Sequence, residues 1–118
     1  MENTSGYYPA GYRVLVRPDP IDLRTKGGIF IPETAAEDHS RAQMLGTLVA
    51  VGPFAWDRYP RAWAKPGARV LFARYGGLHL RGKDGKEYRM LNDEQITAVV
   101  DAEVRLSDLD IHEMRKAI

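Results

Sequence analysis

With 118 residues, 44% of them hydrophobic, the chain can build one modest core, and a net charge of +1 argues against a dedicated nucleic-acid binder. Cysteine is absent, which excludes disulfides and thiolate metal sites and is compatible with a reducing, cytoplasmic setting. No apolar run approaches the ~18–20 residues of a membrane span, and Met1 to Gly6 lacks the basic-then-apolar pattern of a secretory signal.

In chain order the sequence reads as short strands separated by turns. Residues 7–11 are a turn-rich lead-in. Residues 12–17 (Tyr-Arg-Val-Leu-Val-Arg) are rich in β-formers and are stopped by Pro18-Asp19-Pro20. Residues 45–51 form a second predicted strand, closed by Gly52-Pro53. An aromatic and basic stretch without a clear period follows at 54–63. Lys65-Pro66-Gly67 marks a turn, residues 68–74 a third strand, and Tyr75-Gly76-Gly77 its end. Residues 78–80 and 87–91 flank Asp84-Gly85, a hairpin signal. Asn92-Asp93-Glu94 reads as a turn before a last strand at 96–100. Short strands at this spacing predict an all-β fold, a small barrel or sandwich, with no linker or repeat dividing the chain. The tail then changes character. Ser107 is a predicted N-cap, and Ile111, Met114 and Ile118 share one face of a predicted short C-terminal helix.

Between the first two strands lies a segment of roughly 25 residues, beyond the ~12–15 at which a structureless loop becomes uncommon. At its centre Gly27, Gly28, Ile29, Phe30, Ile31 and Pro32 set an apolar triplet between glycines and a proline, with polar sequence on both sides. Two readings stand. The triplet is a short strand docked on the domain's own sheet, or it is the adhesive tip of a mobile loop that orders on a partner.

The order of these pieces carries a resemblance. Residues 12–18, Thr25-Lys26-Gly27-Gly28-Ile29-Phe30-Ile31-Pro32, residues 46–53, residues 66–77 and Gln95-Ile96-Thr97-Ala98-Val99-Val100 together are similar to the GroES-type co-chaperonins, the 10 kDa chaperonin family. The likeness runs from about Pro9 to Val100. Two departures, the aromatic segment 54–63 in place of a roof hairpin and the tail beyond Asp101, are those of a divergent member, such as one encoded by a virus.

The resemblance implies an irregular GroES-like β-barrel at about 9–101, a mobile loop at about 20–43 and a C-terminal extension at 102–118. It implies a homo-oligomer, a sevenfold ring that caps an ATP-driven, GroEL-type chaperonin and encloses unfolded client proteins. The loop residues Gly27, Gly28, Ile29, Phe30, Ile31 and Pro32 would meet the chaperonin. Tyr12, Val14 and Val16 of the first strand would pair with Ile96, Ala98 and Val100 of a neighbour's last strand. Trp56, Tyr59, Trp63 and Tyr75 would stand at the roof and dome.

Neither catalysis, a cofactor nor a metal is expected. His39, His79 and His112 lack ligand spacing, and no phosphate-loop or nucleophile pattern occurs. One rival reading is a single-stranded nucleic-acid module, because Trp56, Arg58, Tyr59, Arg61 and Trp63 interleave aromatic and basic side chains as a stacking platform does. The plainer reading of the same residues is aromatic packing covered by arginine, which the balanced charge favours. A second rival is a viral structural protein that keeps the barrel and has lost the chaperonin.

Overall fold

A computed structural model describes residues 2–19, 44–73 and 75–104. The apolar triplet 29–31, the rest of segment 20–43 and the predicted helix after Ser107 lie outside the described residues.

Six strands make one antiparallel sheet: β1 (Arg13–Pro18), β2 (Leu45–Val51), β3 (Arg69–Phe72), β4 (Leu78–Arg81), β5 (Glu87–Asn92) and β6 (Ile96–Val100), ordered β4-β5-β1-β2-β3-β6. This is the all-β fold that the strand-and-turn pattern predicts, of the small barrel type that the resemblance implies. The β4–β5 hairpin turns where expected. Gly85 takes a left-handed φ of 81°, and the Asp84 carboxylate accepts a hydrogen bond from the Lys86 N–H at 2.9 Å.

Period-2 alternation builds two apolar layers, one on each face of the sheet. Val14 and Val16 of β1, Leu48 of β2, Val70 and Phe72 of β3, Leu91 of β5 and Ile96 of β6 meet inside the curled sheet. Leu15, Val49 and Tyr88 point the other way, and the N-terminal lead-in covers them with Tyr7. That lead-in is held by the Tyr7 hydroxyl donating to the Arg81 carbonyl at 2.7 Å and the Lys83 N–H donating to the Ser5 carbonyl at 2.8 Å.

One expectation is corrected here. A strand at 12–16 with an open edge, free to pair with a neighbour, is not what the chain forms. Val14, Leu15 and Val16 pair with β2 on one side and with β5 on the other, and their side chains are fully buried. β1 is central, and its backbone groups are satisfied within the chain. The outer strands of the sheet are β4 and β6.

Segment 54–63, the stretch in place of a roof hairpin, contains no strand and is a succession of turns and bends. Instead of projecting, it folds back and inserts Trp56 into the inner core, where the indole is 2% exposed. Trp56 adopts a left-handed φ of 59°, which costs a non-glycine residue on the order of 1–3 kcal/mol. Losing a buried Trp side chain costs roughly 3–5 kcal/mol, so core burial outweighs the backbone strain.

Candidate functional site

The roots of segment 20–43 are anchored on adjacent strands. On one side, the Asp19 N–H donates to the Leu45 carbonyl at 3.0 Å, and Pro18 is registered against Gly46. On the other, the Met44 carbonyl accepts from the Phe72 N–H at 2.8 Å. Arg69 of β3 reinforces this end with a two-pronged contact, Nη1 and Nη2 donating to the two Asp19 carboxylate oxygens at 2.8 and 2.7 Å. The hydrogen bonds it donates to Asp19 hold the Arg69 guanidinium in its charged form, above its ordinary pKa, against partial burial. The chain that carries Gly27, Gly28, Ile29, Phe30, Ile31 and Pro32 therefore leaves and re-enters the sheet at fixed, neighbouring points.

Around Trp56 the aromatic segment is organised by Asp93, which opens a short 3-10 helix (Asp93–Gln95) between β5 and β6. The Asp93 carboxylate is 0% exposed and accepts from the Trp56 N–H at 2.7 Å and from Arg58 Nη1 and Nη2 at 3.0 and 2.6 Å. Its main-chain carbonyl accepts from the Trp56 indole N–H at 3.1 Å. Burial pushes the Asp93 carboxyl up, but the Arg58 and Trp56 donors more than reverse this and leave it below its ordinary value. The same contact with Asp93, then that with Glu94, raises Arg58. Arg58 also lies over the Tyr12 and Tyr59 rings, at 5.6 and 5.0 Å. Tyr59 and Trp63 are stacked obliquely at 4.8 Å.

This geometry resolves the interleaved aromatic-basic pattern into packing. Trp56 is inside the barrel and Arg58 is committed to two carboxylates, so they offer no continuous stacking surface to a single strand. Trp56 is likewise corrected as a roof residue, because its side chain lines the core rather than an opening. Tyr59 is half-buried beside it, while Trp63 and Tyr75 keep exposed ring surface. Tyr75 stands in a left-handed turn with φ 60°. On β6, Ile96 is buried in the core, Ala98 and Val100 are half-buried, and Val99 is 53% exposed on a strand unpaired on its far side among the described residues.

Sequence reasoning passed over Asp19, Arg69 and Asp93. Asp19 stood in a strand-stopping Pro-Asp-Pro and Asp93 in a turn, where a carboxylate ordinarily faces solvent. Only the arginines far along the chain that answer them reveal their roles.

Residues 7–100 match the family model described as the Chaperonin 10 Kd subunit. The chain is 38% identical over 99 residues to the Co-chaperonin GroES of Methylorubrum populi, covering 81% of this chain and 98% of that one. It is 37% identical over 93 residues to the Co-chaperonin GroES of Treponema denticola, covering 79% and 96%. It is 30% identical over 102 residues to the 20 kDa chaperonin, chloroplastic, of Arabidopsis thaliana, covering 84% of this chain and 39% of that longer relative. The match spans the whole sheet, from the lead-in that covers the outer layer to the end of β6, and on that ground the chain belongs to the chaperonin 10 kDa subunit family.

Proposed function

We propose that this chain is a co-chaperonin, a ring-forming lid that binds a GroEL-type chaperonin in an ATP-dependent way and encloses unfolded client proteins. The observation that carries the reading is the anchoring of segment 20–43. Asp19 and Met44 are held on neighbouring strands of the sheet, so the segment whose sequence contains Gly-Gly-Ile-Phe-Ile-Pro begins and ends at fixed, neighbouring points. Pro32 restricts Ile31 to extended backbone, and an extended apolar triplet is a shape that a hydrophobic groove accepts. The role is one of binding, with no reaction carried out by the chain itself, and the setting is the cytoplasm.

The energetics suit a lid that must also leave. Burying Ile29, Phe30 and Ile31 contributes at most roughly 5–9 kcal/mol. Rigid-body association opposes it with about 4–15 kcal/mol, before the loop is ordered. One loop binds weakly. Several copies on a ring make later contacts intramolecular and raise avidity by ~10²–10⁴.

Ring assembly is proposed through β6, whose outer edge is unpaired within the described part of the chain, with seven as the expected copy number. Because β1 is central, the complementary surface on the neighbour must be sought outside Val14 and Val16; Tyr12, half-exposed just before β1, remains available to it. Two measurements test the function. Native mass determination at micromolar concentration should give a closed ring, and capture by a GroEL-type chaperonin should require nucleotide. A stable monomer, or capture that ignores nucleotide and the apolar triplet alike, refutes the reading.

A further inference from the structure

Arg69 has a third contact. The guanidinium that grips Asp19 with two prongs also donates from Nη2 to the main-chain carbonyl of Val104 at 2.5 Å. Asp19 is the residue from which segment 20–43 departs. Val104 lies beyond residue 100, the last one matched by the family model, and is the residue from which the rest of the C-terminal extension departs. A turn steadies that carbonyl, since the Val104 N–H donates to the Asp101 carbonyl at 3.1 Å. Arg69 itself sits in β3, between Thr47 of β2 and Val100 of β6, so its backbone is fixed on both sides. Its side chain is only 18% exposed, and competing water has little access.

We infer that Arg69 is a positioning residue that joins the root of segment 20–43 to the root of the C-terminal extension, so that a partner engaging the segment is felt at the extension. The chemistry is that of one planar cation shared by two chain segments. The fork geometry of guanidinium matches a carboxylate bidentately and leaves an Nη2 hydrogen to reach a carbonyl, which a lysine ammonium cannot reproduce from the same position. A shift of Asp19 withdraws the prongs and reorients the Nη2 that Val104 accepts from. The converse holds by the reciprocity of coupled equilibria. Val104, which the family match leaves out, is thereby tied to the root of the segment through which the proposed chaperonin contact is made. Only this last placement rests on the proposed function.

Amide hydrogen exchange on the full-length chain tests the link. Asp19→Ala should speed exchange of the Val104 amide several-fold, and Val104→Pro should speed exchange of the Asp19 amide to a similar degree. In an Arg69→Gln background both cross-effects should vanish, and Arg69→Lys should not restore them. Absence of either cross-effect with Arg69 present overturns the inference, as does their persistence without it. If Arg69→Gln does not fold, the two single variants retain Arg69 and still decide through the presence or absence of the cross-effects. Adding a GroEL-type chaperonin with nucleotide should slow the Val104 amide in the natural sequence and not in Arg69→Lys. Binding that leaves that amide unchanged overturns the coupling. Failure of the natural sequence to bind at all overturns the proposed function instead, while the exchange cycle still stands or falls by itself.

Discussion

Replacing Asp93 by Asn keeps the shape of the side chain and removes its charge. In the structure the Trp56 N–H and both Nη groups of Arg58 converge on the carboxylate. An amide supplies one acceptor oxygen and sets its own NH₂ against a donor. Arg58, partly exposed, can turn to water or to Glu94, so its loss of the pair is a minor cost. The buried Trp56 N–H has no such escape. An unsatisfied buried donor costs about 1–3 kcal/mol, and the charge-assisted bond lost with it places the total at roughly 2–3 kcal/mol. For a domain of this size that corresponds to a fall in Tm of about 8–15 °C. Urea unfolding followed by tryptophan fluorescence, at one protein concentration, measures it.

The pH dependence gives a second handle on the same variant. Asp93 is held below its unfolded pKa of about 3.9, so its stabilisation is fully present above that value and is lost as pH falls through the folded pKa. The gap between the natural sequence and Asp93→Asn should therefore be widest near neutrality and narrow below pH ~4. A gap under about 0.5 kcal/mol at pH 7, or one that stays constant on acidification, refutes the assignment of Asp93 as the organiser of the Trp56 segment.

Under the proposed function Phe30→Asp should abolish chaperonin binding, because it would place a charge where the partner would offer an apolar groove, with the penalty repeated in every copy of a ring; a large loss of Tm with binding retained would show the triplet docked on its own sheet. Tyr88→Phe removes the hydroxyl that is the main cause holding Asp84 down at about 2, so a carboxyl NMR titration should find Asp84 moved up toward 3.8. The part of acid stability that Asp84 loses as pH falls below about 3.9 should shrink in that variant. Gly77→Ala should destabilise by more than about 1 kcal/mol in thermal unfolding, because φ is 72° and an added Cβ would stand 2.2 Å from the Met90 carbonyl oxygen.

Much of the fold is legible along the chain because its causes are local. The runs Val14-Leu15-Val16, Leu48-Val49 and Ile96-Thr97-Ala98-Val99-Val100 favour extended backbone through their β-branched content, and each is found in a strand. Asp84-Gly85 turns because glycine accepts a positive φ and aspartate accepts a nearby N–H, both within a few residues. The order of such pieces also sufficed to identify the family. The tertiary structure alone decided which strands are central and what the aromatic residues do. An edge strand and a doubly paired strand have the same propensity, so β1 could be placed in the middle only by finding β5 on its far side. Trp56, Arg58 and Tyr59 read as a stacking surface or, as the balanced charge favours, as packing. The choice fell to Asp93, 37 positions further on, whose buried charge draws the Trp56 N–H and Arg58 inward. Arg69 is a surface-type residue in a short strand until Asp19, 50 positions earlier, and Val104, 35 positions later, meet at its guanidinium. A side chain's partners are set by how the sheet curls, and that information resides in contacts between distant residues rather than in the identity of any one of them.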